Sequence, residues 1–189
     1  MANPTTYQRV NTATSYDGVG FPVYLSLDGV DDSGATASGG GASTAFTLIM
    51  GFRANSSGTA RTLWSDRTGN TGLKLAITAG NAIEFSGGNG SAIVAATGGT
   101  VAVGTDYVVT ATYDGTNLSV HLNNAAPVTA ACALVAGTAA ISIGKDNGAA
   151  SGYFNGRIYD VISRNNAILT APEIAEGKAY VAEQMQVTL

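Results

Sequence analysis

The sequence predicts an all-β protein, an antiparallel sandwich or barrel of about ten short strands followed by one helix. Three observations carry this. Apolar and polar residues alternate in TDYVVTATYDGTNLSVHLNN, from Thr105 to Asn124, on both sides of an Asp-Gly turn; that is a hairpin with one face buried. Similar alternating runs recur roughly every 8–12 residues with turn signals between them. No helical pattern interrupts the series, which disfavours parallel βαβ topology.

The elements follow in order. Residues 1–20 are polar with mixed propensity and are expected to form an extended arm. FPVYLSL, Phe21 to Leu27, places Val23, Leu25 and Leu27 on one face and reads as the first strand. Asp28 to Ser43 reads as a loop; its Gly39-Gly40-Gly41 run has no following Lys and is no phosphate loop. Strands are expected at Ala45–Phe52, Arg61–Asp66, Leu73–Thr78, Ala82–Gly87 and Ser91–Thr97. The hairpin follows, with strands near Asp106–Tyr113 and Leu118–Asn123, then Ala139–Gly144 and a long last strand over Tyr153–Asn165. Gly156 inside that strand suggests a bulge. Thr170 is placed to cap a helix, with Glu173 completing a capping box and Pro172 tolerated in the first turn. Ile174, Val181 and Met185 share one stripe of that helix, which is expected to pack on the sandwich or, alternatively, on another subunit. The division is thus an arm (1–20), a sandwich (21–169) and a helix (170–189).

Composition bounds the function. The chain of 189 residues suits one domain with a real core. Only 12% of residues are charged, about half the usual share, so Ser, Thr, Asn and Gly must build the surface. The net charge is -4, and the nine basic residues are scattered from Arg9 to Lys178, which argues against nucleic acid. Cys132 is the single cysteine and reads as a small buried apolar group. No run approaches the length of a membrane-spanning helix. The opening MANPTTYQRVNTATSYDG has neither a basic start nor an apolar run, so it does not read as a signal peptide.

The ordered set AFTLIMGFRA, TLWSD, GNTGLKLAIT, GTDYVVTATYDGTNLSVHLNN, AAISIGKDNG and YFNGRIYDVISRNNAILTAPEIAE resembles the concanavalin A-like jelly roll and, within it, laminin G-like domains. The resemblance runs from about Tyr24 to Glu176. It implies an antiparallel jelly-roll β-sandwich. The chain departs from the family pattern where a usual Trp is Asp106, a usual His is Val108, and a common Trp is Gly51. The closing piece from Gly156 to Leu189 also resembles the tail of laminin G-like proteins of bacteriophages. That likeness implies a virion setting.

Glycanases of this superfamily use two carboxylates at alternate positions of one strand. Of the four Glu, three fall in the expected helix, and Glu84 has no acidic partner two or four residues away; no catalytic residue is assigned, and the protein is expected not to be an enzyme. His121, the only histidine, reads as a polar-face residue able to titrate near neutral pH. Asp28, Asp31 and Asp32, then Ser65 and Asp66, then Asp146 and Asn147 offer oxygens for calcium, with Asp160 expected to approach Asp28; the same residues read more simply as turn formers. No cofactor or metal residue is therefore assigned, with a structural Ca²⁺ as the alternative. Trp64 reads as core or rim and not as a sugar platform. The expected function is a non-enzymatic bacteriophage structural protein, a capsid decoration (cement) or head-fibre protein on the virion surface, made in the host cytoplasm. Its partners would be the major capsid protein or other virion proteins, with a possible homo-trimer. The alternative is a carbohydrate-binding, lectin-like adhesion module of a phage tail or bacterial surface protein, gripping host-surface glycans.

Overall fold

The computed structural model describes residues 22–39, 44–147 and 151–189. The arm expected over 1–20 and the Gly40–Ser43 part of the loop lie outside them. In chain order the strands are β1 (Leu25–Asp28), β2 (Gly34–Gly39), β3 (Phe46–Ala54), β4 (Arg61–Ser65), β5 (Leu73–Ile77), β6 (Ala82–Gly88), β7 (Ile93–Thr100), β8 (Asp106–Tyr113), β9 (Asn117–Leu122), β10 (Val128–Ala131), β11 (Ala140–Ile143) and β12 (Asn155–Asn165), followed by helix α1 (Ala171–Met185). They form two six-stranded antiparallel sheets, β1-β12-β3-β8-β9-β10 and β2-β11-β4-β5-β6-β7. This is the expected all-β sandwich with a C-terminal helix.

Alternation explains the core. Phe46, Leu48, Met50 and Phe52 point from β3 into the space between the sheets, and Leu73, Leu75, Ile83 and Phe85 meet them from β5 and β6. Aromatic rings fix the centre: Phe46 and Trp64 lie 5.0 Å apart, and Phe52 meets Phe154 edge-on at 6.2 Å. Trp64 is core, 1% exposed. A one-residue bulge in β4 turns both Leu63 and Trp64 inward: Thr62 faces Ala76 and Trp64 faces Leu75, which leaves Leu63 without a partner of its own. Cys132 is buried, as a small apolar group would be.

Three readings need correction. First, β2 and β10 add to the expected strands; GATASG and VTAA carry too little apolar signal to stand out. Second, only Leu27 of the first strand reaches the core, because β1 is an edge strand; Leu25 and Val23 remain exposed at its open end. Third, the bulge in β12 is not at Gly156. Ile158 faces Phe52 and Val161 faces Met50, so Tyr159 and Asp160 together oppose Gly51. Gly156 serves close approach instead: a Cβ there would stand 2.1 Å from the Arg53 carbonyl oxygen.

Helix α1 lies on the outer face of the first sheet. The Glu173 carboxylate accepts the Thr170 amide and hydroxyl, both at 2.7 Å. Val181, Ala182 and Met185 bury against Ile49 and Val108, with Ile162, Ile174 and Val187 at the border. Gly51 makes the seat: a Cβ there would stand 2.4 Å from Met185 Sδ and 2.8 Å from Val181 Cγ1. We expect Gly51→Val to displace the helix and cost about 1–3 kcal/mol. Thermal unfolding reads this as a drop of several degrees in Tm; an unchanged Tm would show that the seat is loose.

Candidate functional site

The outer face of the second sheet carries a polar row. Ser142, Ser65, Lys74 and Ser86 are cross-strand neighbours on β11, β4, β5 and β6. Asp146 lies over this row, 2.9 Å from Lys74 Nζ and 3.7 Å from an Arg67 nitrogen. Arg67 also donates to Ser86 Oγ at 3.0 Å, and Asn147 bonds Ser142 and the Ala140 carbonyl. One carboxylate joins both cations, so the network fastens the segment after β11 to the sheet.

The acidic candidates converge only within the Asp28–Asp32 turn. Asp28, Asp31 and Asp32 are exposed with carboxylate oxygens within 4.8 Å of one another. Asp28 Oδ1 accepts the Val30 amide at 2.7 Å, and Asp32 Oδ2 accepts the Asp28 amide at 3.3 Å; these are the bonds of a self-closing turn. The expected approach of Asp160 to Asp28 is not formed. Asp28 faces Asn155, and Asp160 lies five residues further along β12, roughly 17 Å away. Glu84 faces Ala76 and Thr97 across the ladder and has no carboxylate opposite it. His121 faces Thr110. Burial, and then nearby Lys178, push its pKa below the ordinary value, so it is neutral at neutral pH.

Asp66 is fully buried at the neck of the β4–β5 hairpin. Its Oδ1 accepts the Leu73 amide at 2.7 Å, while Oδ2 has no partner among the described residues. Gly72, at φ +83°, leaves room for the carboxylate: a Cβ there would stand 2.8 Å from Asp66 Oδ1. Burial pushes this pKa up against the amide bond that lowers it. A raised folded-state pKa gives stability that is present below the unfolded value and lost as pH rises through the folded one. We therefore expect Asp66→Asn, which keeps the acceptor and removes the charge, to raise stability at pH 7 by on the order of 1 kcal/mol. The gain should vanish below about pH 4. Denaturant titration at both pH values checks it; a destabilised variant at pH 7 would mean the charge is needed.

A different cluster forms where β1, β12, β3 and β8 meet on the outer face of the first sheet. Arg53 holds Asp106 with two bonds, Nε to Oδ1 at 2.8 Å and a terminal nitrogen to Oδ2. The Tyr159 hydroxyl donates to Asp106 Oδ1 at 2.8 Å. Burial alone would raise the Asp106 pKa, but the bonds from Arg53 and Tyr159 outweigh it and hold the carboxyl below its ordinary value. The bulge opposite Gly51 carries Tyr159 into this position. Tyr24 meets the Tyr159 ring edge-on at 5.7 Å, and the Arg157 guanidinium carbon lies 4.4 Å from the Tyr24 ring centroid. Tyr24 is 40% exposed. Beside it a shallow cavity of about 470 Å³ opens between the sheet edges, walled by Val23, Leu25, Ile143 and Ile158, with Asp160 at its rim.

Of these five residues the sequence singled out only Asp106, as a departure from the family pattern. Four are ordinary strand residues and Tyr24 directly precedes β1, and only the pairing of β12 with β1 and β3 brings them together. Alternation could place Arg53 and Asp106 on outer faces, but not side by side.

The family model described as the concanavalin A-like lectin/glucanases superfamily, in its laminin G form, matches residues 13–175. The chain belongs to this superfamily. Solved members share its fold. Domains LG4-5 of the mouse laminin alpha1 chain superpose with a TM-score of 0.63 at 16% identity, over 80% of this chain and 45% of that one. The chain thus spans less than half of the laminin fragment. The CBM40 module of the Ruminococcus gnavus IT-sialidase superposes with a TM-score of 0.59 at 13% identity, over 81% of this chain and 95% of the module. A pentraxin from Limulus polyphemus gives 0.59 at 12% identity, over 84% and 81%. No curated protein matches the sequence.

Proposed function

We propose that the chain is a non-enzymatic, lectin-like module that binds carbohydrate at the Tyr24–Arg157–Tyr159 cluster. One observation carries this reading: an exposed tyrosine ring is fixed by a second ring and a guanidinium beside an open cavity. Rigid aromatic surface beside a few fixed polar groups is the usual construction of a small-ligand seat. The superfamily supports it, and so does the CBM40 module, which has also been solved with alpha2,3 sialyllactose bound. The ligand is held by the chain's own side chains, and no cofactor is assigned to the seat.

The virion-surface role is proposed as the setting. It rests on the bacteriophage likeness of the segment from Gly156 to Leu189, most of whose helix lies beyond the family match. A shallow seat gains avidity when many copies are displayed together, as a capsid decoration or head-fibre protein would be. Purified virions should then contain the chain in many copies, bound to the major capsid protein; finding it only in the soluble fraction of the host would reject this setting.

For the seat itself, a glycan array with the wild-type chain should give discrete binders. Tyr24→Ala should weaken them by roughly tenfold, the loss typical of one central aromatic contact. Its Tm should be unchanged, because Tyr24 lies outside the core. An array without binders, or binding indifferent to Tyr24, overturns the assignment.

A further inference from the structure

Val23, Leu25 and Leu27 share one apolar face, yet only Leu27 is inside, at 3% exposure; Leu25 is 46% and Val23 63% exposed. They lie along an open edge. Strand β12 pairs with one side of β1, and among the described residues no strand pairs with the other, which leaves backbone donors and acceptors free. The opposite side of the sandwich is shut: β10 and β7 meet there, and a Cβ on Gly98 would stand 2.4 Å from Val128 Cγ2. On the β1 side the two sheets touch at Leu27, where a Cβ on Gly144 would stand 2.4 Å from Leu27 Cδ1. Beyond that contact they part. The cavity of about 470 Å³ opens there, with Leu25, Ile158 and Val161 on one sheet and Ile143 on the other. Soluble proteins guard such an edge with Lys, Pro or a bulge. Residues 23–27 carry none of these.

The edge itself indicates its occupant. It supplies both the projecting groups, Val23 and Leu25, and the apolar hollow beside them. A two-fold contact needs this, because one patch must serve as both sides. The charges agree. Asp28, Asp31 and Asp32 gather at one end, exposed, with carboxylate oxygens within 4.8 Å of one another and no ion pair among the described residues. At the other end the Arg157 guanidinium carbon lies 4.4 Å from the Tyr24 ring centroid. Antiparallel self-pairing brings opposite ends together.

We infer that β1 pairs with β1 of a second copy of this chain, antiparallel about a two-fold axis near Ser26, so that two six-stranded sheets become one continuous sheet. Residues directly opposite one another share a face. Leu25 therefore meets the partner's Leu27 over the hollow, and the partner's Asp28 stands opposite Tyr24, beside Arg157. Arg157 keeps its action on Asp106 and Tyr159 within its own chain, and the partner's carboxylate meets it from the open side. Pairing walls the hollow at the edge and leaves the outer face, where the Tyr24 ring lies, uncovered. The inference thus goes beyond the carbohydrate reading and does not depend on it.

Light scattering on the full chain, over about 1–200 µM, tests it. A contact this short is at the small end of specific interfaces, so the chain should show twice its single-chain mass at the top of the range and dissociate on dilution. Leu25→Asp and, further from the core, Val23→Asp should each hold the mass at one chain throughout. Their Tm should match the wild type at the lowest concentration, where the wild type is itself dissociated. Tyr180→Ala, which removes an exposed ring from α1, should leave the dimer intact. A single-chain mass across the range would mean that residues 1–21 or another protein take the edge, and it overturns the inference. So does a trimer, a dimer that survives both Asp variants, or a dimer lost in Tyr180→Ala. Glycan binding at Tyr24 stands or falls separately, on the array.

Discussion

Strand β3 is buried on both faces, and the rest of the molecule is arranged around that fact. Its inward residues form the centre of the core with Trp64 and Phe85. Its outward residues Thr47, Ile49 and Gly51 are covered by α1 and the segment leading into it. A strand apolar on both faces cannot rest on a two-layer sandwich alone, since one face would meet water. The helix supplies the third layer. Where its cover ends, at Arg53, the outer face turns polar, and the aromatic seat begins there.

The two-layer fold was legible because alternation is a local signal. AFTLIMGF, LKLAIT and the Tyr107–Leu122 hairpin each declare an inner and an outer face without reference to any other segment. What the sequence withheld depends on pairing. The β12 bulge falls at Tyr159 and Asp160, and nothing in RIYDVIS distinguishes that spot from Gly156, the residue that breaks the pattern most visibly. The glycine is instead required by the nearby Arg53 carbonyl, a contact more than a hundred residues away in the chain. The seat was hidden for the same reason: Arg53, Asp106, Arg157 and Tyr159 come from three strands and Tyr24 from the residue before β1, and a slip of one residue in any pairing would scatter them.

The departures from the family pattern acquire a common meaning. Gly51 and Val108 face each other across β3 and β8, and both lie under α1. Asp106 stands next in the same outward series and anchors Arg53 and Tyr159. The large ring commonly found at the position of Gly51 would occupy the space that Met185 and Val181 fill. The positions that differ are therefore coupled: removing bulk from β3 admits the helix, and a carboxylate at the edge of the helix-covered area organises the polar cluster.

The same arrangement bears on turnover as against binding. General acid–base chemistry requires two titratable groups whose environments push their pKa values apart while both face one void. Here only Asp106 and Tyr159 adjoin, and a hydrogen bond ties the two together; the other perturbed groups lie apart. Asp66 is enclosed at a hairpin neck, His121 lies beside Lys178 near the helix, and Asp106 is pinned as an anion by Arg53. At the seat Asp106 is fully engaged, and a guanidinium does not release its proton in the working range. A surface of this kind can orient a ligand and neutralise its charge. Its selectivity then rests on shape, on stacking and on the fixed polar groups around Tyr24.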